Sequence, residues 1–272
     1  MMTPFRAQDR ELLVFDLDGT LLNAEHQIPQ SLRTMLLTLR QSGIEMTLAT
    51  GRPFAAVKDF IVELELTLPL ITFNGAVVIT PEGKPLSVQP LPLKTARTIL
   101  KHLEATSAAN HLYLNPADDF FHTDHPWKPT DHLMLKDGLN YRYSPTLGDV
   151  LREFATDPVK MFSIGPRHEL EHVQQRLKDI APAVSCFFSE HDMIEFLAPD
   201  TNKGTALDFL CESLGRTPDS VIAFGDNMND LEMLQTAGTG VAMAEAPEKL
   251  QQAADYVTSD IEAFLNKRFK GI

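Results

Sequence analysis

The apolar pattern opens with Leu12-Leu13-Val14-Phe15, an unbroken run that reads as a strand buried on both faces. Residues 29–42 follow with Leu32, Met35, Leu36 and Leu39 at helical spacing, and Gly43 is a natural stop. Residues 44–49 form a second apolar run. Pro53 then opens a helix whose inward positions are Val57, Phe60, Ile61 and Leu64. Residues 70–73 read as a third strand, and Asn74-Gly75 as a tight turn into residues 77–80. Strand, helix, strand, helix, strand implies right-handed crossovers and a parallel sheet.

After Pro81-Glu82-Gly83-Lys84-Pro85 the chain becomes richer in proline, histidine and aromatic residues. Residues 93–105 read as a helix, and 112–114 and 120–122 as short strands. Residues 126–145 look irregular. A strand at 159–164, a helix at 169–180 and strands at 184–188 and 193–197 form an α/β set of their own. The first pattern then resumes: helices at 203–214, 228–236, 248–254 and 261–269, and strands at 221–224, 241–243 and 256–257. The expected organisation is a core from residues 1–83 and 198–272, interrupted by an inserted α/β domain at 84–197. The fold class is α/β, a Rossmann-like three-layer α/β/α core on a parallel sheet.

Charge narrows the partners. A formal net charge of −13 over 272 residues argues against nucleic acid or an anionic membrane, since both demand a basic face. An anionic substrate must therefore be held by local positive groups. No stretch approaches the ~20 apolar residues of a membrane span, and Met1 to Arg10 lacks an apolar signal region. The two cysteines, Cys186 and Cys211, lie far apart without metal-type spacing and fit a reducing compartment. The expectation is a soluble cytoplasmic protein, a monomer or weak homodimer.

Asp16, Thr50 and Asn74 fall where a parallel sheet binds ligands, beyond the carboxyl ends of its strands, and four polar clusters converge. They are Asp16-Leu17-Asp18-Gly19-Thr20, Thr50-Gly51-Arg52, Asn202-Lys203-Gly204 and Gly225-Asp226-Asn227-Met228-Asn229-Asp230. Each also has an ordinary reading: a solvated turn for the first, helix capping for the second and fourth, an exposed lysine for the third. Two carboxylates at the tip of a buried strand are nevertheless unfavourable without a cation or a shared proton. Lys203 starts a helix, where the macrodipole disfavours a cation unless an anion sits there too. Taken jointly, Asp16 and Asp226 can hold Mg²⁺, while Thr50, Lys203 and free backbone N–H groups can hold phosphate oxygens.

These clusters resemble the four motifs of the haloacid dehalogenase superfamily of phosphatases. The Thr-Gly-Arg, Phe-Asn-Gly-Ala, Asn-Lys-Gly and Gly-Asp-Asn-Met-Asn-Asp forms, with a large insert, resemble its Cof-like (type IIB) branch. The resemblance implies Asp16 as nucleophile and Mg²⁺ ligand, and Asp18 as general acid/base with its backbone carbonyl also on the metal. It implies phosphate contacts from the Leu17 N–H, Thr50, Gly51, Lys203 and Asn229. Asp226 would ligate Mg²⁺ and Asp230 would support the metal shell. Asn74 would support the site, and Arg52 either meets substrate from the rim or lies on a helix surface.

The resemblance also implies that the insert is a mobile cap, with residues 81–85 and 198–201 as candidate hinges. Tyr113, Asn115, Asp118, His122 and Trp127 are candidates to face the substrate, with ordinary cap packing as the alternative for each. His122, His125 and His132 do not form a recognised zinc set. The activity expected is hydrolysis of a small phosphorylated metabolite, a sugar phosphate or a phosphorylated cofactor such as pyridoxal phosphate. Two other readings share the same residues: a phosphomutase or phosphotransferase using the same intermediate, and a non-catalytic phosphometabolite-binding protein.

Overall fold

A computed structural model describes residues 11–115, 120–123 and 142–270. The first third runs β1 (Leu12–Phe15), α1 (Gln30–Gln41), β2 (Glu45–Leu48), α2 (Lys58–Glu63), β3 (Leu70–Thr72), β4 (Val77–Ile79) and β5 (Pro85–Val88). The middle runs α3 (Leu93–Leu103), β6 (Ala109–Tyr113), β7 (Phe120–His122), β8 (Arg142–Tyr143), α4 (Leu147–Glu153), β9 (Lys160–Ile164), α5 (Arg167–Ile180), β10 (Ser185–Glu190) and β11 (Met193–Leu197). The last part runs α6 (Lys203–Ser213), β12 (Val221–Gly225), α7 (Leu231–Thr236), β13 (Thr239–Met243), α8 (Glu248–Ala253), β14 (Tyr256–Thr258) and α9 (Ile261–Arg268).

The central sheet is wholly parallel in the order β14-β13-β12-β1-β2. Side chains alternate across a strand, so the apolar run of β1 faces two ways. Leu13 and Phe15 pack with Leu32, Leu36 and Leu39 of α1 and with Ile261 and Leu265 of α9. Leu12 and Val14 pack with Leu207 and Leu210 of α6, Met233 and Leu234 of α7 and Leu250 of α8. Helices on both faces make three layers, and Phe15 stacks on Phe224 of β12 with centroids 4.8 Å apart.

A second sheet, ordered β10-β11-β9-β6-β7-β8, carries α3, α4 and α5 on one face. Its alternation sends Leu112, Met161, Ile194 and Phe196 into those helices. Tyr113, Lys160, Phe162, Met193 and Glu195 point the other way, into a cavity shared with the central sheet.

Several elements depart from the sequence pattern. Pro85–Val88, placed by sequence in the insert, pairs antiparallel with β4 in a small sheet beside the core. The helix expected at 228–236 is split, a 3₁₀ turn at Met228–Asp230 preceding α7. Helix α4 has no counterpart in the expected elements, although Thr146 caps it and Leu147, Val150 and Leu151 are buried at helical spacing. Within the stretch read as irregular, Arg142–Tyr143 pairs parallel with β7. Asp118, His125, Trp127 and His132 lie outside the described residues. Among the described residues no helix is long and apolar enough to cross a membrane.

Candidate active site

Strand register brings the motifs to one edge. Phe15 pairs with both Leu48 and Phe224, so Asp16, Thr50 and Asp226 emerge within two residues of that line. The Asp16 N–H donates to the Phe224 carbonyl at 3.0 Å, which continues the ladder into the site.

Lys203 sits at the centre. Its side chain is fully buried, and its Nζ donates to Asp16 Oδ1 and to Asp230 Oδ1, each at 2.6 Å. It starts α6 behind Asn202, whose side chain accepts from the Thr205 N–H. The two carboxylates offset the poor placement of a cation at a helix start. The other oxygen of Asp230 accepts from the N–H groups of Asp226 at 3.0 Å and Asn227 at 3.1 Å. Asp226 accepts from the Thr20 hydroxyl at 3.2 Å. Gly19, at φ +83°, completes this cradle, since a Cβ there would lie 2.3 Å from Asp226 Oδ2.

The electrostatics of this cluster ask for a cation. Asp16, Asp226 and Asp230 each bring a carboxylate oxygen within 4.8 Å of the others. Burial lifts the Asp16 carboxyl well above its ordinary range; Lys203 pulls it back, and Asp230 and Asp226 push it up again. Burial and Asp230 push the Asp226 carboxyl up to about 6. Burial works against the Lys203 ammonium, but Asp16 and Asp230 outweigh it and hold the group charged. Three carboxylates against one ammonium leave two positive charges wanting. An all-oxygen donor set with that deficit fits a hard divalent ion such as Mg²⁺.

Asp18 faces the cavity with about a third of its side chain exposed. Arg52 is buried and forks onto it, Nε to Oδ2 at 2.7 Å and Nη2 to Oδ1 at 2.6 Å. Thus Arg52 lies neither free on a helix surface nor solely at the rim. His26 Nδ1 stands 3.6 Å from Asp18 Oδ1. Thr50 is buried, its hydroxyl oxygen accepting from the Arg52 N–H at 3.1 Å. Gly51 lines the cavity, and a Cβ there would lie 2.9 Å from Asn74 Nδ2. Leu17 is fully buried beneath these residues. Neither Thr50 nor Lys203 lies on the cavity wall, whereas Asn229 does.

The cavity, about 260 Å³, is roofed by the second sheet. The sequence pattern does not single out the charged residues that the second sheet contributes to it. Lys160 Nζ lies 2.7 Å from Glu195 Oε2 and donates to the Gly51 carbonyl at 3.3 Å. Asn74 Nδ2 donates to the same Glu195 oxygen at 2.7 Å, and Asn229 Nδ2 donates to Asn74 Oδ1 at 3.0 Å. The only available signal was a lone charge inside each of two apolar strands. Of the candidate substrate-facing residues, Tyr113 lines the cavity; Asn115 and His122 do not.

A parallel α/β core with acidic groups beyond the ends of two adjacent strands, a buried lysine bonded to Asp16 and Asp230, and a second sheet above defines a class, the doubly wound α/β proteins with a ligand site at the carboxyl edge of the sheet. Within it, the family model for haloacid dehalogenase-like hydrolases matches residues 13–263, and the chain belongs to that family. HMP-PP phosphatase from Yersinia pseudotuberculosis is 34% identical over 242 residues, covering 89% of this chain and 86% of the relative. HMP-PP phosphatase from Cronobacter sakazakii is 32% identical over 237 residues, covering 87% and 85%. Among solved structures, a haloacid dehalogenase-like hydrolase from Bacteroides thetaiotaomicron superposes with a TM-score of 0.81 at 27% identity, covering 95% of this chain and 98% of that one. A subclass IIB sugar phosphatase superposes at 0.80 with 24% identity, covering 95% and 98%, which is a likeness of fold. The class of activity is that of a phosphatase.

Proposed function

We propose that the protein is a Mg²⁺-dependent hydrolase of a small phosphorylated metabolite, working through an aspartyl-phosphate on Asp16. The observation that carries this reading is the meeting of Asp16, Asp226 and Asp230 around Lys203, directly beneath a cavity that Asp18 faces. Phosphate monoesters hydrolyse extremely slowly unaided, and a covalent intermediate replaces one hard step with two easier ones.

In this reading an Asp16 oxygen attacks phosphorus as the bond to the leaving oxygen breaks. Protonated Asp18 gives its proton to that oxygen. Water then attacks the aspartyl-phosphate, ionised Asp18 takes the proton, and inorganic phosphate leaves with Asp16 restored. Lys203 holds the Asp16 carboxylate in place from behind. Gly51 and Asn229, which line the cavity, serve the phosphoryl oxygens, and the Leu17 N–H and Thr50, set behind the cavity wall, support them. Asp16, Asp226 and the Asp18 carbonyl would hold Mg²⁺, with Asp230 supporting them. Bound there, the ion supplies charge neutralisation at the phosphoryl oxygens.

The substrate panel comprises sugar phosphates, phosphorylated cofactors such as pyridoxal phosphate, and the HMP-PP of the named relatives, ranked by kcat/KM. Turnover in heavy-oxygen water tests the reaction type: label entering inorganic phosphate supports hydrolysis, and unlabelled transfer to a second hydroxyl supports a phosphotransferase. Asp16→Asn is expected to lose turnover while keeping the native circular dichroism. Substantial residual turnover would refute the nucleophile assignment.

A further inference from the structure

The residues Glu195, Asn74 and Asn229 form a one-way hydrogen-bond relay from the second sheet down to the catalytic edge. Glu195 and Asn74 are almost wholly buried, and Glu195 also holds the buried Lys160 ammonium. An ionised carboxylate accepts and cannot donate. The Asn74 atom facing Glu195 at 2.7 Å must therefore be its Nδ2, which turns Asn74 Oδ1 toward Asn229. The Asn229 atom facing Asn74 at 3.0 Å must in turn be its Nδ2. That leaves Asn229 Oδ1 buried without a hydrogen-bond partner. Without the carboxylate at its head, either amide could turn over and the polarity would be lost.

We propose that Glu195, carried on the second sheet, is a positioning residue that sets the orientation of Asn229 through Asn74. The phosphate pocket is then fully formed only while that sheet is docked on the core. Lys160 reinforces the same contact, since its ammonium reaches both Glu195 and the Gly51 carbonyl across the junction. The inference rests on the phosphatase reading, in which Asn229 touches phosphate: with one Nδ2 hydrogen held by Asn74 Oδ1, the second is the one that donates to a phosphate oxygen, since Asn229 Oδ1 can only accept.

The test is binding of inorganic phosphate by calorimetry, with the full chain in saturating Mg²⁺. Glu195→Met removes the acceptor and is expected to weaken phosphate binding about tenfold, the scale of one buried hydrogen bond. Glu195→Gln keeps a carbonyl oxygen where both Asn74 and Lys160 donate, and is expected to recover most of that affinity. In an Asn229→Ala background, Glu195→Met is expected to cost less than twofold, because its route to phosphate is already cut. Losses that multiply independently in the double variant, or a Gln variant as weak as the Met variant, would overturn the relay while leaving the phosphatase reading intact. Should Glu195→Met fail to fold with Lys160 unpaired, Lys160→Met/Glu195→Met replaces it, with the same expectations. A native chain that binds no phosphate would overturn the phosphatase reading and the relay together.

Discussion

Arg52 closes a two-pronged ion pair on Asp18, with 2.7 Å and 2.6 Å between the paired atoms. The guanidinium is itself buried and lies 5.8 Å from the Phe60 ring centroid. A paired fork of this kind orients a carboxylate as well as attracting it. Arg52→Met is expected to lower kcat by about 10–100-fold with a smaller change in KM, because it loosens the acid/base group without removing it. Arg52→Lys is expected to recover only part, since a point charge cannot make both bonds. Steady-state kinetics on para-nitrophenyl phosphate decides this; an unchanged kcat in Arg52→Met would separate Arg52 from the chemistry.

Metal removal is expected to act on stability as well as on turnover. Chelator should abolish activity, and Mg²⁺ should restore it. A ligand held by the folded chain at a hundredfold excess over its Kd adds about 2.7 kcal/mol, which is several degrees in Tm for a chain of this size. The effect should depend on pH in a definite direction. The Asp226 carboxyl is lifted to about 6 in the folded metal-free chain, against roughly 3.9 when unfolded. Its charge therefore costs stability that grows as pH rises from about 4 to 6 and is fully present above that. Mg²⁺ relieves this cost, so its Tm increment should be larger at pH 7.5 than at pH 5.5. Differential scanning fluorimetry with and without Mg²⁺ measures it. An increment that grows on acidification would count against the acidic cluster as the binding site.

Lys203 should matter for folding independently of catalysis. The ammonium is fully buried between two carboxylates, and removing one partner of such an arrangement leaves buried charge unpaired. Lys203→Met is expected to destabilise the metal-free chain by about 3–5 kcal/mol. Urea denaturation in chelator is the direct measurement. A loss below about 1 kcal/mol would mean that the two aspartates protonate instead of remaining charged.

The chain's pattern announces the core but not what lies over it. Leu12–Phe15 ends in Asp16 because a strand buried on both faces must be apolar until it leaves the sheet, and that contrast is visible in one dimension. The same logic exposes Asp226 after β12. Depth is not visible. Lys203 reads as a helix-start cation that calls for an anion, but the sequence does not say that the packing of α6 sets it against both Asp16 and Asp230. The strands at 159–164 and 193–197 are legible, but Lys160 and Glu195 within them are not singled out, because alternation says which residues share a face but not what covers that face. Pro85–Val88 is largely exposed and carries little apolar signal, so its pairing with β4 could be read only from the fold.

The two cysteines give an expectation in which burial is the largest cause. Both are free: Cys211 is fully buried on the inner face of α6, and Cys186 is half-buried on β10. Burial pushes the Cys186 thiol up to about 12, with Gln174 and Lys178 pulling weakly the other way. Burial pushes Cys211 up to about 11, Arg216 opposing and Asp208 adding to it. The thiolate is the reactive form, so at pH 8 each site is almost wholly in its inert state. Native protein is therefore expected to resist iodoacetamide at pH 8, while the same protein in denaturant takes up two labels. Raising the pH toward 10 should speed native labelling, with the Cys211 site limited further by access. Intact-mass spectrometry after a timed exposure checks both points. Rapid native labelling at pH 8 would show that β10 or α6 opens far more readily than its packing implies.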